Sequence, residues 1–146
     1  MDQARPAQDP DRLITDFTER VPDVLQAAVV AADGVPVAVS DAIAPGHLGQ
    51  LSAITAGLVS LACAAARAFD EGVVTQALVT MERGILVIMA IGDGSSLAVL
   101  TTASADLDLV AYEMTTLVDQ AGSRFTPPAR SAASGMRSGS AGSSTA

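Results

Sequence analysis

Lysine and tryptophan are absent from this chain of 146 residues, which has one cysteine and one histidine. Each absence removes a class of function. Eight arginines face sixteen acidic residues, for a net charge of −8. Such a chain cannot neutralise a run of phosphates, which argues against a nucleic-acid partner. The single Cys63 forms no intramolecular disulfide, and the opening MDQARPAQDP does not read as a signal peptide. The expectation is a cytoplasmic protein that meets a membrane only through its partners. One His and one Cys fall short of an ordinary zinc site. Three Phe and one Tyr leave the core to Val, Leu, Ile and Ala, in a composition that is 49% hydrophobic.

Charge is missing locally as well. From Ala42 to Ala66 there is no Asp, Glu, Lys or Arg, a stretch long enough to span a bilayer. Pro45, Gly46, His47, Gly49, Gln50, Ser52, Thr55, Gly57 and Ser60 dilute it below the hydrophobicity of a confident span. The expectation is a helix of a soluble domain, with much of its surface covered.

What is present organises the chain. Residues 1–8 read as disordered, 9–125 as one domain, and 126–146 as a disordered tail, in which positions 131–146 hold six Ser and three Gly. Asp9-Pro10 offers a cap and a first-turn proline, and Leu13, Ile14, Phe17 and Val21 follow on one helical face before Pro22. The runs 24–31 and 35–40 flank Asp33-Gly34, which predicts a hairpin with a two-residue turn. Pro36 lacks the N–H that a central strand must donate, so the second strand belongs at a sheet edge. A helix is expected from about His47 to Phe69. Strands are expected over 73–81, 84–91 and 95–102, joined by Glu82-Arg83 and by Gly92-Asp93-Gly94. Ser104 is the expected cap of a last helix carrying Leu107, Val110, Met114, Leu117, Val118, Ala121 and Phe125. Ile85 to Ile91 is apolar at every position, which calls for helices on both faces of the sheet.

Chemistry is sparse. His47 has no fixed acidic neighbour in sequence, and Cys63 lies among alanines. Gly92 to Ser96 (GDGSS) lacks the lysine of a phosphate loop and reads as a turn, as does Asp70-Glu71. No catalytic residue, metal site or cofactor site is therefore assigned. The long helix is more informative. Leu48, Leu51, Thr55, Leu58, Ala62, Ala65 and Phe69 form a stripe expected to face the sheet. Gln50, Ala53, Ile54, Gly57, Ser60, Leu61 and Ala64 form a second face with no charge before Arg67. A surface helix normally charges its outer face, so Gln50, Ala53, Ile54, Gly57 and Leu61 are assigned to a partner.

The segments VVAADGVPVAVSD, ALVTMERGILVIMAIGDGSSLAVL and DLVAYEMTTLVDQ, with the long helix between the first two, resemble the roadblock / dynein-light-chain family across residues 11–125. Within it the chain is similar to bacterial MglB-like proteins. Its size and Ser/Gly tail suit the roadblock members of actinobacterial conservon cassettes (CvnB-like), which sit beside a sensor-kinase-like protein and a small Ras-like GTPase. The resemblance implies an α/β (α+β) fold in three layers. A five-stranded antiparallel sheet in the order 2-1-5-4-3 carries one long helix on one face and two helices on the other. It also implies a homodimer through the strand containing Val73, Thr75, Ala77, Val79 and Met81, which has neither proline nor charge to blunt it.

The function this implies is non-enzymatic: a homodimeric regulator or scaffold that binds a small Ras-like GTPase and modulates its nucleotide state. If an arginine finger were used, Arg67 and Arg83 would be its candidates outside the flanking helices. The rival readings are a small-molecule sensor and a general protein-interaction module with no GTPase partner.

Overall fold

The structure, a computed structural model, describes residues 9–125. The segments expected to be disordered, 1–8 and 126–146, lie outside the described residues. Helix α1 (Pro10–Arg20) begins with its proline in the first turn and places Ile14 and Phe17 fully inside, with Val21 just past its end. Strands β1 (Val24–Val30) and β2 (Pro36–Val39) follow, then α2 (Pro45–Phe69). Strands β3 (Gln76–Met81), β4 (Gly84–Ala90) and β5 (Ser96–Thr102) precede α3 (Leu107–Ala121) and a 3-10 turn ending at Phe125. The sheet order is β2-β1-β5-β4-β3 with every pairing antiparallel. This is the expected three-layer α/β architecture.

The apolar run of β4 is divided between two cores. Ile85 and Val87 join Ile14, Phe17, Val110, Met114, Leu117 and Phe125 under α1 and α3. Leu86 and Ile88 join Ala98 under α2, with Leu51, Leu58 and Val59 packed against them. Period-2 alternation explains why such a strand needs an apolar residue at every position.

Two turns are built alike: Gly92-Asp93-Gly94 is the expected three-residue connector, and the turn at Asp33-Gly34, expected with two residues, takes the same form. Gly34 and Gly94 each adopt positive φ (+87° and +94°) and each donates its N–H to the residue three before it. Asp33 Oδ1 accepts the Val35 N–H, and Asp93 Oδ1 accepts the Ser95 N–H. Only the glycine is left-handed, so Asp-Gly closes a three-residue loop and not a type I′ pair.

The helix ends also differ in detail. Asp106, and not Ser104, caps α3, its Oδ1 accepting the N–H groups of Asp108 and Leu109. Ser104 instead shares a hydrogen bond with Thr102. A carboxylate two residues nearer the first apolar position is the stronger acceptor at the positive end of the dipole. At the far end of α2, Asp70 takes the left-handed position (φ +52°) while Asp70 and Glu71 donate N–H groups to the carbonyls of Arg67 and Ala66. A non-glycine residue is strained there, and an anion at a helix C-terminus is unfavourable. Asp70→Gly is expected to stabilise the domain by about 0.5–1 kcal/mol and to raise its Tm by a few degrees in thermal unfolding. An unchanged or lower Tm would show that the Asp70 side chain contributes more than its backbone strain costs.

Candidate functional site

The two edges of the sheet are treated differently. At β2, Pro36 has no N–H, a register shift interrupts the pairing with β1, and the strand has four residues. Helix α1 then covers what remains: Asp11 Oδ1 accepts the Val39 N–H at 3.0 Å, and Thr15 Oγ1 accepts the Asp41 N–H at 3.1 Å. This edge is closed to a further strand. The proline announced it, whereas the two side-chain acceptors on α1 carry no signal a single sequence could display.

At β3 no such cover exists among the described residues. The strand is shorter than the sequence suggested: Val73 and Thr75 precede it, because 71–75 runs as an irregular connector from α2. The carbonyl of Thr75 still accepts the Ala90 N–H at 3.0 Å, and Met81 faces Gly84 across the two-residue turn. Antiparallel pairs alternate between bonded and open. Positions 75, 77, 79 and 81 thus direct their backbone groups to β4, and Gln76, Leu78 and Thr80 direct theirs to the open edge. The side chains of Ala77 and Val79 pack in the core under α2. The backbone groups facing the open edge are therefore those of Gln76, Leu78 and Thr80, and not those of the expected set Val73, Thr75, Ala77, Val79 and Met81.

Helix α2 is the second unusual surface. It is long and apolar enough to cross a membrane, yet it lies across β1, β3 and β5. Of its most apolar stretch only 11% is buried, against the expectation of a largely covered helix. Ser52 and Thr55 are its buried residues. Gln50, Ala53, Ile54, Gly57 and Leu61 are all exposed, Leu61 at 71%. The expected sheet-facing stripe holds at Leu51, Thr55 and Leu58 and fails at Ala65 and Phe69, which are exposed. A 3-4 spacing repeats every 3.5 residues, whereas a straight helix turns every 3.6, a drift of about 20° per heptad. By the last turns Val59, Cys63 and Ala66 have taken over the inner side, lining a cleft against β4.

Six of the ten exposed large hydrophobics lie between Ile54 and Met81: Ile54, Leu61, Phe69, Val73, Leu78 and Met81. They place one apolar region on α2, its connector and the open edge. The charged residues of α1 and α3 sit on the other face, where Arg20 bridges Glu113 at 2.6 Å.

The remaining chemistry-bearing residues stay apart. His47 is exposed in the first turn of α2, Cys63 is partly buried, and Arg67 is exposed in the last turn. Arg83 sits in the β3–β4 turn beside Glu82. GDGSS is the β4–β5 turn, and Asp70-Glu71 closes α2. Among the described residues, no group of His, Cys, Asp and Glu is placed to hold a metal ion.

Comparison with known proteins accords with this geometry. The Roadblock/LC7 domain profile matches residues 10–101. A Roadblock/LC7 domain structure from Streptomyces avermitilis is 33% identical, with a TM-score of 0.73, covering 77% of this chain and 93% of its own. Myxococcus xanthus MglB is 16% identical, with a TM-score of 0.69 over 76% of this chain and 83% of that one. An MglB in a tetrameric arrangement is 16% identical, with a TM-score of 0.71 over 82% and 89%. Those two likenesses are of fold. No curated protein matches the chain.

Proposed function

Because this chain belongs to the Roadblock/LC7 family, we propose that it is a non-enzymatic homodimer that docks a small Ras-like GTPase and modulates its nucleotide state. The observation that carries this reading is the coincidence of an open strand edge with an uncharged, exposed helix on the same side of the chain. Two copies joined at β3 would form a continuous ten-stranded sheet and bring their α2 helices side by side. A GTPase crossing that two-fold axis would meet two identical helices in non-identical ways, so one GTPase would bind two chains. The tetrameric arrangement of an MglB supports self-association of this fold. The dimer would act in the cytoplasm, beside a sensor-kinase-like protein, as in the conservon cassettes the sequence resembles.

Arg67 and Arg83 are both exposed, and regulation by remodelling the GTPase requires neither as a finger. Co-expression with a small Ras-like GTPase of the conservon type tests the reading. Co-purification of a nucleotide-dependent complex, two chains to one GTPase, is the expected result. A GTPase that elutes alone in both nucleotide states would overturn the GTPase half of the proposal and leave a self-associating interaction module.

A further inference from the structure

The C-terminal half of α2 does not close onto the sheet. A cleft of about 300 Å³ opens between it, β4 and the connector before β3, walled by Val59, Val73, Ile88 and Ile91 and by Cys63. A second hollow of similar size continues from it past Cys63 toward the β1–β2 turn. The drift of the apolar stripe explains the opening: the small Cys63 and Ala66 stand where bulky residues would have filled it.

Three polar residues, Arg67, Ser95 and Ser96, interrupt this apolar wall. Arg67, the only charged residue of α2, lines the cleft and makes no ion pair among the described residues. Arg124 also makes none, but of the two only Arg67 lines the cleft. Ser95, 1% exposed, also lines the cleft, and its hydroxyl has no hydrogen-bond partner among the described residues. A buried hydroxyl without a partner is a cost that a bound polar group can relieve. The carbonyls of Ala66 and Arg67, which would repel an anion here, are already occupied by the N–H groups of Glu71 and Asp70.

We infer that this cleft binds a small apolar carboxylate, its chain held between α2 and β4 and its head group on Arg67. At roughly 30 Å³ per heavy atom the cleft holds about ten, the size of an eight-carbon fatty acid. Arg67 sets the sign of the head group, and the apolar wall sets an uncharged body. The site is independent of the GTPase reading, since it lies beneath α2 and not on the outer face, whereas Val73 in its wall also belongs to the apolar region proposed to meet a second copy.

Sodium octanoate tests it on the full-length protein, with octanol and octylamine as neutral and cationic chains of equal length. Octanoate should bind once per chain with a Kd of about 1 mM, the range of a ligand this small. It should also slow alkylation of Cys63 by iodoacetamide, followed by mass spectrometry. Arg67→Gln, an exposed change that leaves the core intact, should weaken octanoate about tenfold and leave octanol unchanged. The inference is overturned by a failure to saturate with octanoate, as when a second copy fills the cleft. Equal binding of octylamine, unchanged octanoate affinity in Arg67→Gln, or unaltered Cys63 alkylation would overturn it as well.

Discussion

Leu78→Pro should yield a folded monomer. The N–H of Leu78 points to the open edge, so its loss takes nothing from the β3–β4 ladder. Proline is tolerated on edge strands, and the preceding Ala77 is already extended, as proline requires of its neighbour. The substitution gives β3 the device that Pro36 gives β2. In a two-fold pairing each copy loses one hydrogen bond and gains a ring against the partner backbone. The expected weakening is about 2–3 kcal/mol, or roughly 30- to 150-fold in the dimer Kd. Sedimentation should show the monomer at concentrations where the parent protein is dimeric, with an unchanged circular dichroism spectrum. Ala77→Pro is the contrasting variant. It removes a donor to Ile88 inside the sheet and should lower stability itself. A Leu78→Pro protein that stays dimeric would move the self-association surface off this edge.

Ile54→Glu and Leu61→Arg should abolish a contact made by α2. Both side chains are more than half exposed in the single chain, at 51% and 71%, so a charge there leaves the fold intact. If the face is buried against a partner, the charge is desolvated without a counter-ion, and a central position costs about 3–5 kcal/mol. Which contact fails identifies the occupant. A dimeric variant that no longer captures the GTPase places the GTPase on Gln50, Ile54, Gly57 and Leu61. Dissociation of the dimer shows that helix pairing uses this face. A dimeric variant with parental GTPase affinity would place the partner elsewhere, on the hairpin loops.

The sequence was most legible where one residue type has one physical use. Pro36 excludes a central strand, Asp-Gly marks a turn, and the apolar run of β4 demands cover on both faces. These gave the edge position of β2, the first hairpin and the two-sided cover, whereas the full strand order was what the family resemblance implied. It was less legible where the answer depends on geometry summed over distance. The stripe on α2 was right through Leu58 and wrong at Phe69, because a tenth of a residue per turn accumulates over six turns. The turn at Glu82-Arg83 was read correctly, but the outward parity of β3 depends on Met81 and Gly84 being a bonded pair, which turn position alone does not state. The exposed face of α2 was recognisable by its missing charge. The cleft beneath it was not, since the small residues that leave it open look the same as small residues that pack.

The central claim is that the open edge and uncharged helix are one surface, used first by a second copy of this chain. Sedimentation equilibrium of the unmodified protein at micromolar concentration tests it most directly. The account predicts a single species of twice the 14.7 kDa chain mass. A species of 14.7 kDa under those conditions would contradict it.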